Sequence, residues 1–234
     1  MAGERLHGLV RVTNAGNVRA QRVRVDITLP AARIRAPGEQ TLEVAGSADF
    51  PFETRLGLLR RGRHPLSAMI HFQDSLGNPF SALAVTTFLV QEEKGADLLA
   101  RGEPLLMQDR GTLRFRLENT GALPKTVKAS LLMPREFLSS GAVWESALPG
   151  GSRKEAAFPV ANLSALSGAT YPVFCIVEYD MEEMHHTVIG ATTIRVKGGD
   201  NWFRKTRWYW AGGWVILGIF LGIAGVLGKE PESV

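Results

Sequence analysis

Residue types that could bind a metal ion come together at one point of the sequence, between Asp180 and His186. His185 and His186 follow Asp180, Glu182 and Glu183, and imidazole and carboxylate groups are both ligands of divalent metals. Consecutive residues of a strand point to opposite faces of a sheet, however, so adjacent histidines cannot both face one ion. We interpret this run as a solvated acidic turn rather than a metal site.

The chain has one cysteine, Cys175, which lies in the apolar run 173–177. A single cysteine excludes a disulfide within the chain and a metal site made of cysteines alone. Apolar neighbours favour a buried thiol over a nucleophile. The sequence contains no glycine-rich phosphate loop and no Gly-x-Ser-x-Gly elbow. We therefore expect no cofactor, no metal and no enzymatic activity; a catalytic cluster assembled only by folding is the alternative.

The composition is that of a globular chain with many turns. The 234 residues allow one or two domains, and a hydrophobic fraction of 45% is enough for a core. There are 27 basic and 23 acidic residues, which gives a net charge of +4. Dedicated nucleic-acid binders concentrate their lysines and arginines. The charge balance therefore predicts no nucleic-acid partner.

Short segments that alternate apolar and polar residues predict β-strands throughout residues 1–200. Alternation with period two is the pattern of a strand with one buried face, and no long stretch before residue 200 has helical periodicity. Glycine, proline and asparagine separate the segments, as is typical of a sandwich of two sheets. Three clear examples of the alternation are residues 23–29, 112–117 and 192–196.

The chain also repeats itself with a period of about 105 residues. Residues 9–30 match residues 113–134, and each copy contains an Asn-x-Gly triplet, at 14–16 and at 119–121. Glycine supplies a positive φ angle and asparagine caps a turn, so we expect these triplets to have a structural role. One repeat has the length of one sandwich.

The repeat predicts two tandem sandwiches, one over residues 1–91 and one over residues 105–198. Residues 92–104 then contain the linker and the first strand of the second sandwich. The second copy is preceded by residues 97–108, which can supply a first strand, whereas only residues 1–8 precede the first copy. The first sandwich is therefore predicted to lack its first strand, and its open edge could accept a strand from a partner. A neighbouring loop that covers the edge is the alternative.

The order strand, Asn-x-Gly, strand, proline, followed by a late segment YPVFCIVEY, resembles the immunoglobulin-like modules of bacterial and archaeal surface and membrane proteins, of the cell-adhesion-related type. Residues 59–80, LRRGRHPLSAMIHFQDSLGNPF, are similar to the sandwich region of bacterial membrane proteins linked to MoxR-type ATPases. In that group an Arg-Gly-Arg stretch precedes Asp-Pro-Phe-Gly, whereas here Asp74 is separated from Pro79. That group also carries a von Willebrand A domain, which this sequence does not contain. The resemblance implies immunoglobulin-like folds in a non-catalytic interaction module.

Residues 208–228 contain no charged residue, and as a helix they would be about 31 Å long. This length matches the hydrocarbon core of a bilayer, so we predict a transmembrane helix, preceded by a basic juxtamembrane segment at 199–207 and followed by a tail at 229–234. Aromatic side chains gather at its start, as at a membrane interface. The predicted interface residues are Trp202, Arg204, Lys205, Arg207, Trp208, Tyr209, Trp210 and Trp214.

The flanking charges predict the orientation of this helix. Arg204, Lys205 and Arg207 precede the helix, whereas Lys229 follows it beside acidic residues. The positive-inside rule then places the preceding domains in the cytoplasm. Residues 1–10 lack the apolar region of a signal peptide, which predicts a tail-anchored protein. The alternative is a periplasmic or extracellular protein whose signal peptide has been removed.

Gly218 and Gly222 form a Gly-x-x-x-Gly pair within the predicted helix, and Gly225 lies near the same face. Small residues with this spacing let a second membrane helix approach closely. We therefore expect a packing partner in the membrane, among the subunits of a larger complex. The alternative is that these glycines reflect only the general frequency of glycine in membrane helices.

Arg60, Arg61 and Arg63 form a basic cluster before the turn at His64-Pro65. Such a cluster can dock a partner, and it can also be a solvated loop. We predict a docking role in a non-catalytic, membrane-anchored scaffold, an accessory subunit that organises a larger membrane complex. The alternative function is an exported module that binds carbohydrate or protein and is held by the same helix. Sugar binding favours exposed aromatic residues, and the predicted sandwiches contain only one tryptophan, Trp144.

Overall fold

The computed structural model describes residues 5–30, 32–91 and 95–198. These residues fold into β-strands and connecting loops, and no helix among them has the length and hydropathy needed to cross a bilayer. The predicted membrane helix at 208–228, with its interface residues and its glycines Gly218, Gly222 and Gly225, lies outside the described residues. The prediction of an all-β fold for the part before residue 199 is confirmed.

The strands divide into an N-terminal half and a C-terminal half, which we define as residues 5–91 and 95–198. The N-terminal half contains β1 (Arg5–Thr13), β2 (Ala20–Leu29), β3 (Ala32–Arg35), β4 (Gln40–Leu42), β5 (Ser47–Arg55), β6 (Arg61–Gln73) and β7 (Pro79–Val90). The C-terminal half contains β8 (Leu98–Gly102), β9 (Leu105–Met107), β10 (Arg110–Asn119), β11 (Lys125–Leu132), β12 (Phe137–Ser139), β13 (Val143–Leu148), β14 (Arg153–Asn162), β15 (Thr170–Met181) and β16 (Met184–Val196).

Each half packs two layers of strands around a core of its own. In the C-terminal half, a sheet in the order β12-β14-β10-β8 faces strands β13-β11-β15-β16. In the N-terminal half, the pair β1-β5 faces strands β2, β3, β6 and β7, and β4 pairs with β2. The alternation read from the sequence produces these layers. Leu113, Phe115 and Leu117 on β10 are fully buried, while the residues between them point outward.

The Asn-x-Gly triplets make equivalent sets of hydrogen bonds, one set within each half. The Asn119 side-chain amide donates to the carbonyl oxygens of Leu123, Leu148 and Pro149 at 2.8, 3.1 and 3.0 Å. The Asn14 amide donates to those of Val18, Leu42 and Glu43 at 2.8, 3.1 and 3.2 Å. In each triplet the Oδ1 atom accepts from the backbone N–H of the glycine. One asparagine therefore ties three chain segments together in each repeat.

Candidate functional site

The run from Asp180 to His186 forms the hairpin turn between β15 and β16. Glu182 and Glu183 occupy the two turn positions with φ angles of 51° and 63°, and Met181 pairs with Met184 across them. Positive φ at both central residues is the geometry that matches the twist of a two-residue hairpin. The two histidines that follow point to opposite faces. No group of three or more His, Cys, Asp or Glu side chains within residues 5–30, 32–91 and 95–198 is arranged to hold a metal ion.

His185 lies between two carboxylates of β15. Its Nδ1 is 2.8 Å from Asp180 Oδ1 and its Nε2 is 3.2 Å from Glu178 Oε1. Ionised carboxylates only accept hydrogen bonds, so both ring nitrogens must carry a proton and the ring is an imidazolium. Burial acts to lower the pKa of His185, but the hydrogen bonds to Glu178 and Asp180 outweigh it and raise the pKa above its ordinary value.

His64, from β6 in the other half, stacks on this imidazolium. The ring centroids are 4.4 Å apart and the rings are 9° from parallel. The His64 Nε2 lies 2.8 Å from the carbonyl oxygen of Arg60, which can only accept, so Nε2 carries the proton. Burial lowers the pKa of His64, and the neighbouring charge of His185 lowers it further. A neutral ring from one half thus lies on a charged ring from the other.

The basic cluster lies at this same boundary between the halves. Arg60 Nη1 is 3.0 Å from Asp180 Oδ2, and Arg61 Nη2 is 3.8 Å from Glu183 Oε2. The carbonyl oxygen of Arg63 accepts a 2.8 Å hydrogen bond from Thr187 Oγ1. The side chains of Arg60 and Arg61 are also about half exposed. These arginines join the two halves, and a docking role for them stays a prediction.

Backbone pairing completes this contact. Strand β6 runs parallel to β16, with Arg61 opposite Met184 and Gly62 opposite His185. The sheet of one half therefore continues into the sheet of the other. Gly62 has a φ angle of 119°, and a Cβ atom added there would lie 2.0 Å from the carbonyl oxygen of His185. Only glycine allows the two backbones to approach this closely.

A second contact between the halves involves a buried carboxylate. Glu136 is only 3% exposed, and its two oxygens accept hydrogen bonds from the backbone N–H and the hydroxyl of Ser81, each 2.6 Å long. The Ser81 hydroxyl in turn accepts from the backbone N–H of Arg135 at 2.9 Å. We refer to these two sets of contacts together as the joint. Sequence reasoning missed Glu136, Ser81, His64 and Gly62, because no local pattern marks residues that meet across a joint.

The raised pKa of His185 predicts that the stability of the joint depends on pH. A group whose pKa rises on folding adds stability that is complete below its unfolded pKa, about 6.5 for histidine, and that is lost as the pH rises through the folded pKa. We expect the difference in unfolding free energy between the native chain and His185→Gln to be larger at pH 6 than at pH 8.5. Urea unfolding followed by circular dichroism measures this difference.

A second background controls for the other ring of the stack. His64 has a lowered pKa, so its own contribution is lost as the pH falls rather than as it rises. The comparison is therefore repeated with His64→Phe, which keeps a flat ring on His185 but cannot titrate. The dependence on pH should persist there. A difference that stays flat from pH 6 to pH 8.5 in both backgrounds would contradict the charged state assigned to His185.

The edge predicted to be open lies at β1. Strand β1 pairs with β5 along its whole length, from Arg5 with Arg55 to Thr13 with Ser47. No other strand within the described part of the chain pairs with β1. In the C-terminal half the corresponding strand, β10, has β14 on one side and β8 on the other. The two repeats therefore differ at this edge.

Comparison with protein families and with curated proteins finds no match. Among solved structures, the chain is similar to the alpha-2-macroglobulin of E. coli in its native conformation, with 13% sequence identity and a TM-score of 0.36 over 70% of this chain and 10% of that one. The chain thus spans about a tenth of that protein. It is also similar to a PapD-like domain of human CEP192, with 15% sequence identity and a TM-score of 0.33. This match covers 50% of this chain and 98% of that domain. The chain is also similar to the E. coli chaperone DraB, with 9% sequence identity and a TM-score of 0.30. This match covers 47% of this chain and 60% of DraB.

Proposed function

We propose that this chain is a non-catalytic, membrane-anchored interaction protein whose two halves act as one stiff unit within a larger membrane complex. We further propose that both halves are immunoglobulin-like domains of the surface and membrane type that the sequence resembles. The observation that carries the proposal is the joint. A pair of β-sandwiches meant to move independently would be linked by a few exposed residues, whereas here the sheet, two rings and a buried carboxylate cross between them.

The groups most able to do chemistry are used to hold the fold together. Both nitrogens of His185 are bound to carboxylates, and Glu136 accepts from Ser81 across the joint. Cys175 is fully buried, and burial raises the pKa of its thiol to about 12. A thiol with that pKa is almost entirely protonated at neutral pH and is a poor nucleophile. These roles support an interaction protein rather than an enzyme.

The membrane anchor in this proposal is the apolar segment at 208–228, with Arg204, Lys205 and Arg207 on the cytoplasmic side. Gly218 and Gly222 would pack against a helix of another subunit. A stiff pair of domains fixed to a membrane at one end holds its binding surfaces at set positions. This geometry suits a subunit that spaces or orders its neighbours.

The experiment that tests the proposal is a topology measurement in intact cells. In a Cys175→Ser chain, a single cysteine is placed at Gly95 or at Gly141, which lie in exposed loops with no atom within 4 Å of the place that a Cβ would take. A thiol reagent that does not cross membranes should label neither position until the cells are lysed. Labelling at both positions in intact cells would contradict the cytoplasmic orientation and favour the exported alternative.

A second measurement tests the anchor and the complex. After detergent extraction, the native chain should migrate on a native gel as part of an assembly larger than one copy. Replacing Gly218 and Gly222 by leucine should release it from that assembly while leaving it in the membrane fraction, because leucine keeps the segment apolar but blocks close helix contact. A chain that migrates alone before any substitution would contradict the scaffold role.

A further inference from the structure

The N-terminal half contains a groove where the C-terminal half contains a strand. In the C-terminal half, β8 fills the space between β10 and β16, with Gly102 opposite Phe115 and Ala100 opposite Leu117. The repeat places β1 at the position of β10 and β7 at the position of β16. Between β1 and β7 lies a groove of about 400 Å³. No strand from the described part of the chain lies between them.

The exposure of the side chains along β1 shows that no described strand covers the groove as β8 covers β10. Leu113, Phe115 and Leu117 on β10 are all 0% exposed beneath β8. Their counterparts in the repeat are Gly8, Val10 and Val12, and each of these is partly exposed. The same positions are thus sealed in one half and open in the other. Their apolar character in both halves is the pattern of an inward face that is meant to be covered.

The opposite wall of the groove shows the same difference. Gly190 and Ile194 on β16 are buried, and the small side chain of Ala100 lies beside Gly190. The counterparts on β7, Ala84 and Phe88, are exposed and partly exposed. Phe52 forms part of the floor beneath Gly8, where its ring fills the space that a Cβ atom would take. The lining of the groove is therefore mostly apolar, with the two threonines Thr86 and Thr87 on the β7 wall, and the edge of β1 bounds it on one side.

We infer that this groove binds an extended segment of a partner chain, which adds to β1 as an antiparallel strand in the place that β8 takes in the other half. The free N–H and C=O groups along an edge strand supply the hydrogen bonds, and alternate side chains of the added strand fill the groove. The direction and register follow from the pairing of β8 with β10. This inference depends neither on the membrane anchor nor on the joint.

The walls of the groove define the side chains of the occupant. Beside β8 only glycine fits at position 102, since a Cβ atom there would lie 2.6 Å from Thr192 Cβ on one wall and 2.7 Å from the Phe115 ring on the other. In the N-terminal half, Val10 stands at the position of Phe115, so the space is larger. On the β7 wall, Thr86 and Ala84 are the counterparts of Thr192 and Gly190, so that side gives no extra room. We therefore expect alanine at the position of Ala100 and a small apolar residue larger than glycine, such as alanine, at the position of Gly102, where it fills the space beside Val10.

Charge defines the outward face of the occupant. In the C-terminal half, Glu103 follows β8 and lies 3.6 Å from Arg116 of β10. The counterpart of Arg116 on β1 is Arg11, which has Asp49 as its neighbour on the other side at 2.7 Å. An acidic residue of the occupant at the position of Glu103 would complete the same arrangement. The expected ligand is thus an extended segment with alternating apolar residues followed by an acidic one.

A peptide derived from the chain itself tests this inference. The probe copies residues 97–108 with Gly102→Ala and carries a fluorophore. Anisotropy measured with the full chain in detergent micelles should rise on binding, and hydrogen exchange at β1 (Arg5–Thr13) should slow. Ala84→Arg, which places a long charged side chain in the groove, should weaken binding at least about ten-fold. The matched control Ala191→Arg lies on exposed β16 surface beyond the strand-filled groove and should leave binding unchanged.

The register and the order of the side chains provide further controls. A peptide of the same composition with its apolar residues clustered should not bind, because it cannot present them on one face. A peptide with cysteine at the position of Leu99 should form a disulfide with a Thr13→Cys chain, whereas cysteine at the position of Leu98 should not. These positions follow from Leu99 pairing with Glu118, the counterpart of Thr13.

Three outcomes would overturn the inference. The first is no anisotropy change at any peptide concentration below aggregation. The second is strong protection from exchange, in the monomeric chain alone, of the β1 amides that point away from β5, which would mean that another segment of the chain occupies the groove. The third is protection of β1 that appears only as the chain dimerises, which would assign the groove to a second copy.

Discussion

Gly62→Ala is expected to lower the free energy of unfolding by at least about 3 kcal/mol. The added methyl group would lie 2.0 Å from the carbonyl oxygen of His185, and backbone cannot rotate away as a side chain can. Gly62 also has a φ angle of 119°, which an L-residue adopts only with strain. To relieve both, β6 must move away from β16 and the joint must open.

The matched control for this substitution is Gly77→Ala. Gly77 also has a positive φ angle, of 83°, but no atom lies within 4 Å of the place that its Cβ would take. Gly77→Ala should therefore lower the free energy of unfolding only through backbone strain, by about 1 kcal/mol. Urea unfolding of both variants measures the difference. Equal costs would mean that the close approach between Gly62 and His185 does not stabilise the chain.

A further readout shows whether the joint has opened in Gly62→Ala. The pH dependence assigned to His185 requires the ring to stay between Glu178 and Asp180, whereas the stacking of His64 on His185 requires β6 to stay beside β16. If β6 moves away, the contribution of His64 disappears while the two carboxylates of β15 remain in place. His64→Phe should then have no further effect on stability in the Gly62→Ala chain, although it changes the stability of the native one.

Asn119→Ala is the second substitution with a large expected effect, about 3 kcal/mol or more. Asn119 is 0% exposed, and its amide satisfies three backbone carbonyl oxygens. Its Oδ1 also accepts from Lys125 Nζ at 2.6 Å, and Lys125 is only 3% exposed. Alanine would remove the hydrogen-bond partner of the three carbonyl oxygens and of the Lys125 ammonium group. Water reaches this buried region poorly, and a buried polar group without a partner lowers the free energy of unfolding.

Asn14→Ala is the matched control within the same chain. Asn14 makes the same three amide hydrogen bonds, but it is partly exposed and has no buried lysine beside it. Water can replace part of what its side chain provides, so the expected cost is about 1 kcal/mol. In the Asn119→Ala chain, adding Lys125→Met should restore part of the lost free energy of unfolding, because it removes the buried charge that has lost its partner.

Cys175 reports which half has been weakened. It is the only cysteine in the chain and is fully buried on β15, so a thiol reagent reaches it only when the C-terminal half opens. The rate of thiol labelling should rise in Asn119→Ala and stay near the native rate in Asn14→Ala. Equal labelling rates in the two variants would contradict the separate roles assigned to the two asparagines.

The sequence alone determined the features that depend on local pattern. Alternation along residues 23–29 and 112–117 predicted strands with one buried face, because a strand in a two-layer fold meets water on one side only. The Asn-x-Gly triplets predicted equivalent turns, because a side-chain amide near a glycine bonds to backbone within its own neighbourhood. Each of these signals is contained within a few residues or in the comparison of the two copies.

The tertiary structure decided what meets across the joint. Ser81 and Glu136 are far apart in the sequence, as are His64 and His185, and none lies in a pattern that specifies its partner. Alternation shows which face of a strand is buried, but it does not show which other strand covers that face. The role of Gly62 depends on the distance between two backbones, and the charge of His185 depends on carboxylates that only the hairpin places beside both nitrogens. Such contacts are set by the packing of the whole chain, because their free energy comes from groups that only folding brings within hydrogen-bonding distance.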